Sequence, residues 1–562
     1  MDLNKALSCM LFLAVLVFQP PLFSQVPEAE VERSMSVDLK TPTGFVFDGR
    51  AFWVGDVKEN VIARLDPGTG AILKKYEAPC FTVGGLAWDG KMIWVLDPVE
   101  KAVFGLDPER GLTEKTLALD LDTPQGIAFD GKDIWVSDGG EGLLVKIDKG
   151  DGTTYASVSA PSAGSGKRSQ LIAFTGHDNY LWTADRLGDT LYQVDPETGY
   201  VLNMLETPGP FCSGIAFFGE KLACLDYEKR TIDIVILPQH GKPIRFNPRR
   251  ESVAFGESYR NFGPGTVEEL KINIAVPEDL PFQDLGSKIE WSREPDSFQI
   301  DKWGQKVALF TFRGVKPQEA VSAGYSVDAT LYSVRYFIDP AKCGKIGDVP
   351  EPLRKQFLGD DVKLQAGDPV IRAAVREAVG DEKNCYYAAR KIYQYIHEKM
   401  RYELVGGWNI APVVLARGSG SCSEYSFVMI AMCRAAGIPA RYAGSVVVRG
   451  DNASRDDVFH RWVEVYLPSV GWVPVDPSGG DSKVPEEQAK AFAGLDNRFL
   501  ITTIGGGSSE YLNWDYNSNS SFSARGPVKL AVLKAGDWSP VAEAKREKTE
   551  TEAGKGPKVC SD

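Results

Sequence analysis

Five segments in the first half of the chain repeat one pattern of apolar and polar positions. In each, a short apolar run is followed by a polar turn and a second apolar run that ends in aspartate, as in FVFDGRAFWVGD and IAFDGKDIWVSD. The closing aspartates are separated by 41, 41, 47 and 41 residues. Asp-Gly and Asp-Pro-x-Thr-Gly turns between β-rich runs predict a second hairpin in each copy. The five closing residues are Asp56, Asp97, Asp138, Asp185 and Asp226.

Four short strands per copy, repeated at this period, are typical of a β-propeller. We therefore predict a propeller of about five blades over residues 36–246, with the run SMSVDLK as an outer strand that closes the last blade. A sixth, degenerate blade is the alternative. The repeated aspartates either line a central site or end a strand and hold its turn, and we favour the turn. The loop SAGSGKRSQ, with Lys167 and Arg168, either binds a partner or is a solvated insertion, which we favour.

The pattern changes after the fifth copy. Alternating apolar and polar residues over 247–345 predict a small antiparallel β-sandwich, and helical periodicity then introduces a third domain over 346–538. The last residues, 539–562, are charged and poor in apolar side chains, which predicts disorder. The predicted fold class is a multidomain chain with an all-β propeller, a β-sandwich and an α+β core.

Composition narrows the classes of partner. The formal net charge is -13, which argues against nucleic acid and against an anionic membrane surface as partners. Residues 1–24 hold Lys5, an apolar run and Ser24 as a cleavage position, so we predict a signal peptide and a secreted or periplasmic protein without stable membrane insertion after cleavage. An uncleaved anchor is the alternative. Nine cysteines without a CxxC pair disfavour a zinc site or a disulfide scaffold, although Cys343–Cys385 and Cys212–Cys224 are possible bridges.

Three residues in the third domain carry the candidate chemistry. Cys422 begins an apolar helix in GSGSCSEYSFVMIAMCRAAGIPAR, with Ser419 or Ser421 as its cap. A thiol at a helix N-terminus is favoured as the nucleophilic thiolate by the helix dipole. His460 is the only histidine after Cys422. If the hairpin FHRWVEVYLPSVGWVPVD is symmetric about Pro468, His460 faces Asp476 directly on one side of the sheet.

These motifs resemble the transglutaminase-like superfamily. The resemblance rests on GSGSC with the helix behind it, on HRWVEVYL and on GWVPVDPS, and it covers about residues 385–480. It implies a papain-like core in which Cys422 is the nucleophile, His460 the acid and base, and Asp476 the residue that orients His460. It identifies no oxyanion side chain; the backbone N–H of Cys422 and the side chain of Trp408 are candidates. The β-domain before the core also resembles one that often precedes bacterial members.

Other residues in this region have structural alternatives. Cys422 itself is a buried structural thiol if the three side chains do not meet. We assign Cys433 to the core and Glu424, Arg441, Trp462, Glu464 and Trp472 to local support of the fold. The acidic loop 450–457 has Asp451, Asn452 and Asp456 as candidate calcium ligands, but its spacing differs from an EF-hand and we favour a solvated loop.

The sequence thus predicts an exported thiol enzyme without metal or organic cofactor. Its substrate is a protein or peptide, attacked at a glutamine or peptide amide, and water or an amine resolves the thioester. Proteolysis, deamidation and crosslinking stay open, with hydrolysis slightly favoured. The propeller is predicted to bind the protein substrate. The alternatives are a binding protein with a silent transglutaminase-like domain, and a propeller with its own activity, such as glutamine cyclisation.

Overall fold

The computed structural model describes residues 26–166, 170–404, 408–448 and 454–541. The chain divides into two compact units. The first comprises residues up to Asn247, Tyr332–Tyr442 and Arg461–Asn497; the second comprises Pro248–Leu331, Ala443–His460 and the residues from Arg498 onward. The predicted signal peptide, the pair Lys167 and Arg168, the calcium candidates Asp451 and Asn452, and all of the predicted disordered tail after residue 541 lie outside the described residues. Within the described part, no helix has the length and apolar character needed to span a bilayer.

The repeats of the first unit form five antiparallel sheets of four strands each. The sheets have the strand orders β2-β3-β4-β5, β6-β7-β8-β9, β10-β11-β12-β13, β14-β15-β16-β17 and β1-β20-β19-β18. The strands are β1 Glu30–Ser36, β2 Pro42–Phe47, β3 Phe52–Asp56, β4 Val61–Leu65, β5 Ile72–Glu77, β6 Gly85–Trp88, β7 Ile93–Asp97, β8 Ala102–Leu106, β9 Thr113–Ala118, β10 Pro124–Phe129, β11 Ile134–Asp138, β12 Leu143–Ile147, β13 Thr154–Ser159, β14 Ala173–His177, β15 Tyr180–Asp185, β16 Thr190–Val194, β17 Val201–Glu206, β18 Cys212–Phe218, β19 Lys221–Asp226 and β20 Thr231–Ile236.

These sheets are the five predicted blades, and strand β1 closes their ring. Met35 pairs with Ile232 and Ser36 with Thr231, so the first strand of the chain is the outer strand of the last blade. The innermost strands contact one another in the cycle β2, β6, β10, β14 and β18. The blade number is confirmed, and so is closure by an N-terminal strand, but this strand is Glu30–Ser36 and includes only the first three residues of the predicted SMSVDLK run. Apolar side chains fill the spaces between neighbouring blades, for example Phe45 and Phe52 against Phe218.

The closing aspartates hold turns, as predicted. Asp56 accepts backbone N–H groups from Lys58 and Glu59 in its own turn, and from Lys40 and Thr41 in the segment before the inner strand. Asp97, Asp138 and Asp185 repeat both parts of this arrangement. A buried carboxylate that accepts several N–H bonds ties two segments of one blade together. The aspartates are therefore structural elements of the repeat.

The second unit is built on an antiparallel sheet with long strands. Its order is β22-β26-β21-β25-β24, and β35 also pairs along β21. Strand β35, which we place in the third domain by sequence, thus extends the predicted sandwich region. The strands that lie wholly or partly in this unit include β21 Pro243–Ala275, β22 Gln283–Leu285, β23 Glu290–Trp291, β24 Ser297–Ile300, β25 Lys306–Val315, β26 Ala320–Tyr336, β30 Arg455–Asp456, β34 Phe499–Gly505 and β35 Ser518–Pro540.

The rest of the first unit is an α+β core around one buried helix. Helix α5 contacts α2, α3 and α4, and strand β31 pairs with β32. The helices are α1 Glu351–Phe357, α2 Pro369–Val379, α3 Cys385–Lys399, α4 Ala411–Arg417, α5 Cys422–Ala435 and α6 Pro485–Lys490. Short 3-10 turns span Pro340–Lys342 and Ile346–Asp348. The remaining strands are β27 Arg401–Tyr402, β28 Ser419–Gly420, β29 Ala440–Val447, β31 His460–Leu467, β32 Gly471–Val475 and β33 Gly494–Leu495.

The fourth blade packs directly against this core. The Tyr387 hydroxyl on α3 donates to Asp195 at 2.7 Å, and the Asn203 side chain on β17 bonds both the N–H and the carbonyl of Ile338. The Arg390 guanidinium lies 5.1 Å from the ring centre of Tyr200. Because these partners are largely buried, the propeller and the helical core share one continuous packed interior.

Candidate active site

Helix α5 begins at Cys422, as the sequence predicts. Ser421 is the N-cap residue, and its backbone N–H donates to the Glu424 carboxylate at 3.2 Å. Every residue from Cys422 to Arg434 is buried, which matches a helix without a polar face. The Cys422 side chain therefore lies at the positive end of a helix dipole in a buried setting. The helix dipole by itself favours a thiolate, whereas burial opposes it.

Glu424 holds the surroundings of the helix start. Its buried carboxylate accepts the Arg417 guanidinium at 2.7 Å and the backbone N–H of Asn409 at 3.0 Å, in addition to the Ser421 bond. A buried carboxylate needs such partners because desolvation of an unpaired charge costs several kcal/mol. The predicted supporting role of Glu424 is thus confirmed. One side chain fixes the loop before α4, the loop after it and the first turn of α5.

Ser426 joins the first turn of α5 to strand β31. Its hydroxyl lies 2.9 Å from the Cys422 carbonyl oxygen and 3.4 Å from the Arg461 carbonyl oxygen. A single hydroxyl proton is shared between the two acceptors. Arg461 directly follows His460, the candidate base. Ser426 therefore holds the residue next to this base against the first turn of α5, which begins with Cys422, the candidate nucleophile.

His460 is half-buried and has its ring partly fixed. The imidazole stacks on Phe499 with ring centres 5.5 Å apart and planes 24° apart. The Ser445 hydroxyl lies 3.5 Å from the His460 carbonyl oxygen. The preceding residue, Phe459, has a φ of 62°, which bulky side chains rarely adopt. Such backbone strain concentrates at functional sites, where surrounding contacts maintain it.

The contacts that maintain this backbone come from Asp456. Its side chain is fully buried and accepts the backbone N–H groups of Val447 at 2.8 Å, Phe459 at 3.0 Å and Val458 at 3.2 Å. The expectation of a solvated acidic loop is therefore wrong for Asp456. Buried N–H donors attract this carboxylate more strongly than water does, because both partners would otherwise be unsatisfied.

Asp476 follows strand β32 and is fixed by its own turn. Its Oδ1 atom accepts the Ser478 N–H at 3.0 Å, the Ser478 hydroxyl at 2.9 Å and the Gly479 N–H at 2.9 Å. Its backbone N–H donates to the Ala491 carbonyl at 2.8 Å. The orientation of the carboxylate therefore depends on the position of the segment that follows it.

The predicted hairpin register, in which His460 faces Asp476 directly across the two strands, is wrong. In the observed register Tyr466 faces Trp472, and the last ladder pair is Val463 with Val475. The turn is centred on Ser469, whose φ is 75°, and not on Pro468. Continuing the ladder places Asp476 opposite Trp462, two residues from the predicted partner but on the same side of the sheet, since side chains alternate with a period of two.

Tertiary contacts at the hairpin tip account for the shifted register. The Ser469 hydroxyl donates to the Lys342 carbonyl at 2.9 Å, and the Gly344 N–H donates to the Pro468 carbonyl at 3.2 Å. Both partners lie more than 100 residues earlier in the chain, so the hairpin sequence alone does not contain this information. The triad of Cys422, His460 and Asp476 stays a prediction, because the strand register is compatible with it but does not establish it.

Sequence reasoning missed Arg461. Strand alternation places the side chains of Arg461 and His460 on opposite faces of the sheet. The Arg461 side chain is fully buried among Trp408, Phe427 and Tyr442, and its guanidinium lies 4.6–5.2 Å from the three ring centres. Trp408 itself has a φ of 51°, and its carbonyl accepts the Lys363 ammonium. Arginine stacks readily on aromatic faces. The signal in the sequence was the set of aromatic residues near Cys422, which no local pattern connects to Arg461.

The supporting residues of the hairpin behave as expected. Arg441 donates to Glu464 at 2.7 Å, and its guanidinium lies 4.2 Å from the Trp472 ring centre. Phe357 packs edge-on against Trp472 at 4.9 Å. Buried ion pairs of this kind need excellent geometry, which the stacked arginine provides.

None of the seven cysteines in the described residues forms a disulfide. Neither Cys343–Cys385 nor Cys212–Cys224 is bridged. Burial raises the pKa of Cys343 and of Cys385 to about 12, and burial also raises the pKa of Cys433. These thiols stay protonated at neutral pH, which agrees with the assignment of Cys433 to the core.

One group in the described residues has the composition of a metal site. His177, Asp178 and Glu220 on propeller turns bring their ligand atoms within 4.8 Å of one another. Both acidic residues are exposed, and the Lys342 ammonium interacts with their charges. We assign no metal there, since exposed acidic groups commonly remain hydrated.

The comparisons with known proteins centre on the α+β core. Residues 372–477 match the family model described as the transglutaminase-like superfamily. The uncharacterised protein YebA of Bacillus subtilis (strain 168) is 39% identical over 71 residues, which are 11% of this chain and 10% of YebA. A protein-glutamine gamma-glutamyltransferase of Pseudomonas aeruginosa is 33% identical over 100 residues, which are 16% of this chain and 15% of that protein. The chain thus spans only a small part of these curated relatives.

Two solved structures are among those with detectable similarity to this chain. A putative cysteine protease from Cytophaga hutchinsonii has a TM-score of 0.37 and 14% identity, covering 53% of this chain and 99% of its own. The glutaminyl cyclase of Myxococcus xanthus has a TM-score of 0.34 and 15% identity, covering 38% and 97%. These scores are too low to support an argument from either structure. The family match, by contrast, spans all three candidate residues: residues 372–477 of this chain form a domain of the transglutaminase-like superfamily.

Proposed function

We propose that this chain is an exported thiol enzyme that acts on amides of proteins or peptides. The Cys422 thiolate attacks the carbonyl carbon of a glutamine side-chain amide or a peptide bond. His460 accepts the thiol proton and delivers it to the leaving ammonia or amine, so that a thioester remains on Cys422. Water or a second amine then resolves the thioester and releases the thiol. Asp476 orients His460 throughout.

One observation carries this proposal. The helix that begins with Cys422 lies within a matched transglutaminase-like domain, and Ser426 holds its first turn to the segment directly after His460. The helix start supplies the environment in which a thiol becomes nucleophilic, and the chain places an imidazole at the beginning of the adjoining strand. The backbone N–H of Cys422 and the side chain of Trp408 are our candidates for stabilising the oxyanion.

The propeller is proposed to bind the protein substrate. A cavity of about 490 Å³ lies at the strand ends of its third and fourth blades, with a wall formed by Ala160 and Ala163. Next to this wall, the Pro161 carbonyl accepts the backbone N–H of Glu486 at 2.9 Å. Glu486 lies on helix α6, ten residues after Asp476 in the chain, so the loop beside the cavity is bonded to the α+β core. Concave sites with a few polar groups commonly hold ligands.

Thiol labelling tests the enzyme proposal. The purified protein is treated with iodoacetamide between pH 5 and 9, and the modified cysteines are mapped. We expect Cys422 to react first, at a pH where ordinary thiols are protonated, and His460→Ala and Asp476→Asn to slow it. Cys433→Ala is the matched control, because this cysteine lies on the same helix without a proposed role. Equal labelling of all accessible thiols would favour a binding protein with a silent domain.

Product analysis then distinguishes the reactions. Wild type and Cys422→Ala are incubated with a mixture of glutamine-containing peptides and a fluorescent primary amine. Ammonia release with amine incorporation identifies transamidation, ammonia release alone identifies deamidation, and new peptide termini identify proteolysis. Activity that persists in Cys422→Ala would contradict the proposed nucleophile.

A further inference from the structure

The segment from Asp476 to Asp481 is anchored to three elements of the core. Tyr425, in the first turn of α5, and the backbone N–H of Tyr402 both donate to the Asp481 carboxylate at 3.1 Å. The third anchor is His397 on α3, whose Nε2 atom lies 2.9 Å from the Pro477 carbonyl oxygen. Pro477 directly follows Asp476, so this bond is the closest of the three to the proposed catalytic carboxylate.

The geometry defines the protonation state of His397. A carbonyl oxygen only accepts, so Nε2 must carry the hydrogen. The Nδ1 atom is buried and has no hydrogen-bond partner among the described residues. Burial lowers the pKa of His397 to about 4. The imidazole is therefore neutral near pH 7 and exists as the Nε2–H tautomer.

His397 is also held rigidly on its helix. Its ring packs edge-on against Tyr393 at 4.1 Å, and the Tyr393 hydroxyl donates to the Gln488 carbonyl at 2.9 Å. Gly480 approaches the same tyrosine so closely that an added Cβ would lie 1.7 Å from its hydroxyl oxygen. The donor on His397 thus has a fixed position from which it determines where the Pro477 peptide lies.

We propose that His397 is a positioning residue for Asp476. The Oδ1 atom of Asp476 is bonded to the two residues after Pro477, so the carboxylate moves with this segment. The bond from His397 fixes the intervening peptide, and through it the carboxylate that orients His460. The inference rests on the proposed function, and it assigns a role to a histidine that the triad does not use.

Three variants test this role. His397→Leu removes the donor, and His397→Gln retains an N–H at nearly the same reach. Tyr395→Phe is the control, because it lies on the same helix and loses only a 3.1 Å bond to Glu377. The measurements are kcat and KM with N-blocked glutaminylglycine and a primary amine, and the pH dependence of Cys422 alkylation.

Displacing a catalytic group by about 1 Å can lower the rate on the order of 100-fold. We expect His397→Leu to lower kcat by about 10- to 100-fold with KM changed less than about twofold, and to shift the acid limb of the alkylation profile. His397→Gln should stay within about threefold of wild type, and Tyr395→Phe should match wild type. If the leucine variant does not fold, His397→Asn, which is polar but too short to reach the carbonyl, replaces it.

The outcomes separate this inference from the proposed function. A folded His397→Leu or His397→Asn protein with wild-type kcat and pH profile overturns the positioning role alone. Equal losses in the glutamine and leucine variants also overturn it, since a purely structural residue would not be rescued by its donor. A wild-type protein without turnover and without selective Cys422 alkylation overturns the proposed function, and the positioning role with it.

Discussion

The Ser426 hydroxyl lies 3.4 Å from the Arg461 carbonyl oxygen while it bonds the Cys422 carbonyl at 2.9 Å. Replacing it by alanine should separate the first turn of α5 from the start of β31. We expect Ser426→Ala to lower the free energy of unfolding by about 1 kcal/mol, since one buried hydrogen bond is lost. Urea denaturation measures this change. The rate of Cys422 alkylation should fall as well, because the helix start and the strand lose their shared contact.

Ser426→Val distinguishes packing from hydrogen bonding in this position. It lacks the donor and adds one methyl group at a fully buried position, so it should resemble Ser426→Ala in alkylation rate if the hydroxyl matters. A valine variant that reacts like wild type would assign the effect to packing alone.

Glu424 is expected to be the most sensitive position around the helix start. Glu424→Ala leaves the Arg417 guanidinium and two backbone N–H groups without their carboxylate. Leaving a buried hydrogen-bond donor unsatisfied costs about 1–3 kcal/mol, and Glu424→Ala removes the acceptor of several donors at once. Thermal unfolding should show this loss directly.

Arg417→Met provides the comparison for Glu424. In this variant the Glu424 carboxylate keeps its two backbone donors. The free energy of unfolding should therefore fall less than in Glu424→Ala. The opposite ranking would mean that the arginine, and not the carboxylate, organises the loops on either side of α4.

The bond between Tyr387 and Asp195 predicts thermodynamic coupling between the propeller and the core. A double-mutant cycle with Tyr387→Phe and Asp195→Asn should give an interaction energy of about 1.5 kcal/mol, as expected for a hydrogen bond to a charged group. Chemical denaturation of the four proteins measures it. Tyr395→Phe combined with Asp195→Asn should be additive, because these side chains have no common partner. Additivity in the first cycle would show that the contact contributes nothing to stability.

His397 predicts an acid-sensitive stability. Burial lowers its pKa from 6.5 to about 4 in the folded protein; the positive charge of Arg390 acts in the same direction, while the bond to the Pro477 carbonyl and the negative charges of Asp481 and Asp476 act against it. The unfolded chain therefore binds a proton between these pH values while the folded chain does not. Above pH 6.5 His397 is neutral in both states and does not reduce the stability. As the pH falls towards 4, proton binding by the unfolded chain lowers the free energy of unfolding by up to about 3 kcal/mol.

The difference between wild type and His397→Gln isolates this contribution. The free energies of unfolding of both proteins are compared from pH 7.5 to 4. Both proteins have the same carboxylates, so the difference between the two curves reports His397. Wild type should lose more stability than the glutamine variant over this range. Parallel curves would show that His397 protonates as readily in the folded protein as in the unfolded chain.

Local patterns were sufficient for much of this structure. The propeller, its five blades and the turn role of Asp56 and its counterparts follow from short-range chemistry, because each turn is stabilised mainly by residues within one repeat. The start of α5 at Cys422 also follows from local signals, namely a serine cap, a glutamate three residues later and an unbroken apolar run. The family resemblance rests on the same segments.

Features that depend on distant partners were not predictable in this way. The hairpin register was wrong because Ser469 bonds Lys342, a contact that no pattern in the hairpin encodes. Arg461 and Asp456 have charged side chains, yet both are buried. Aromatic rings surround Arg461, and backbone N–H donors surround Asp456. The sequence by itself determined which segments form blades, helices and candidate chemistry, since turn and helix propensities act over a few residues. Only the tertiary structure decided which polar groups are desolvated and which strands are in register, since these depend on partners that the chain brings together over long distances.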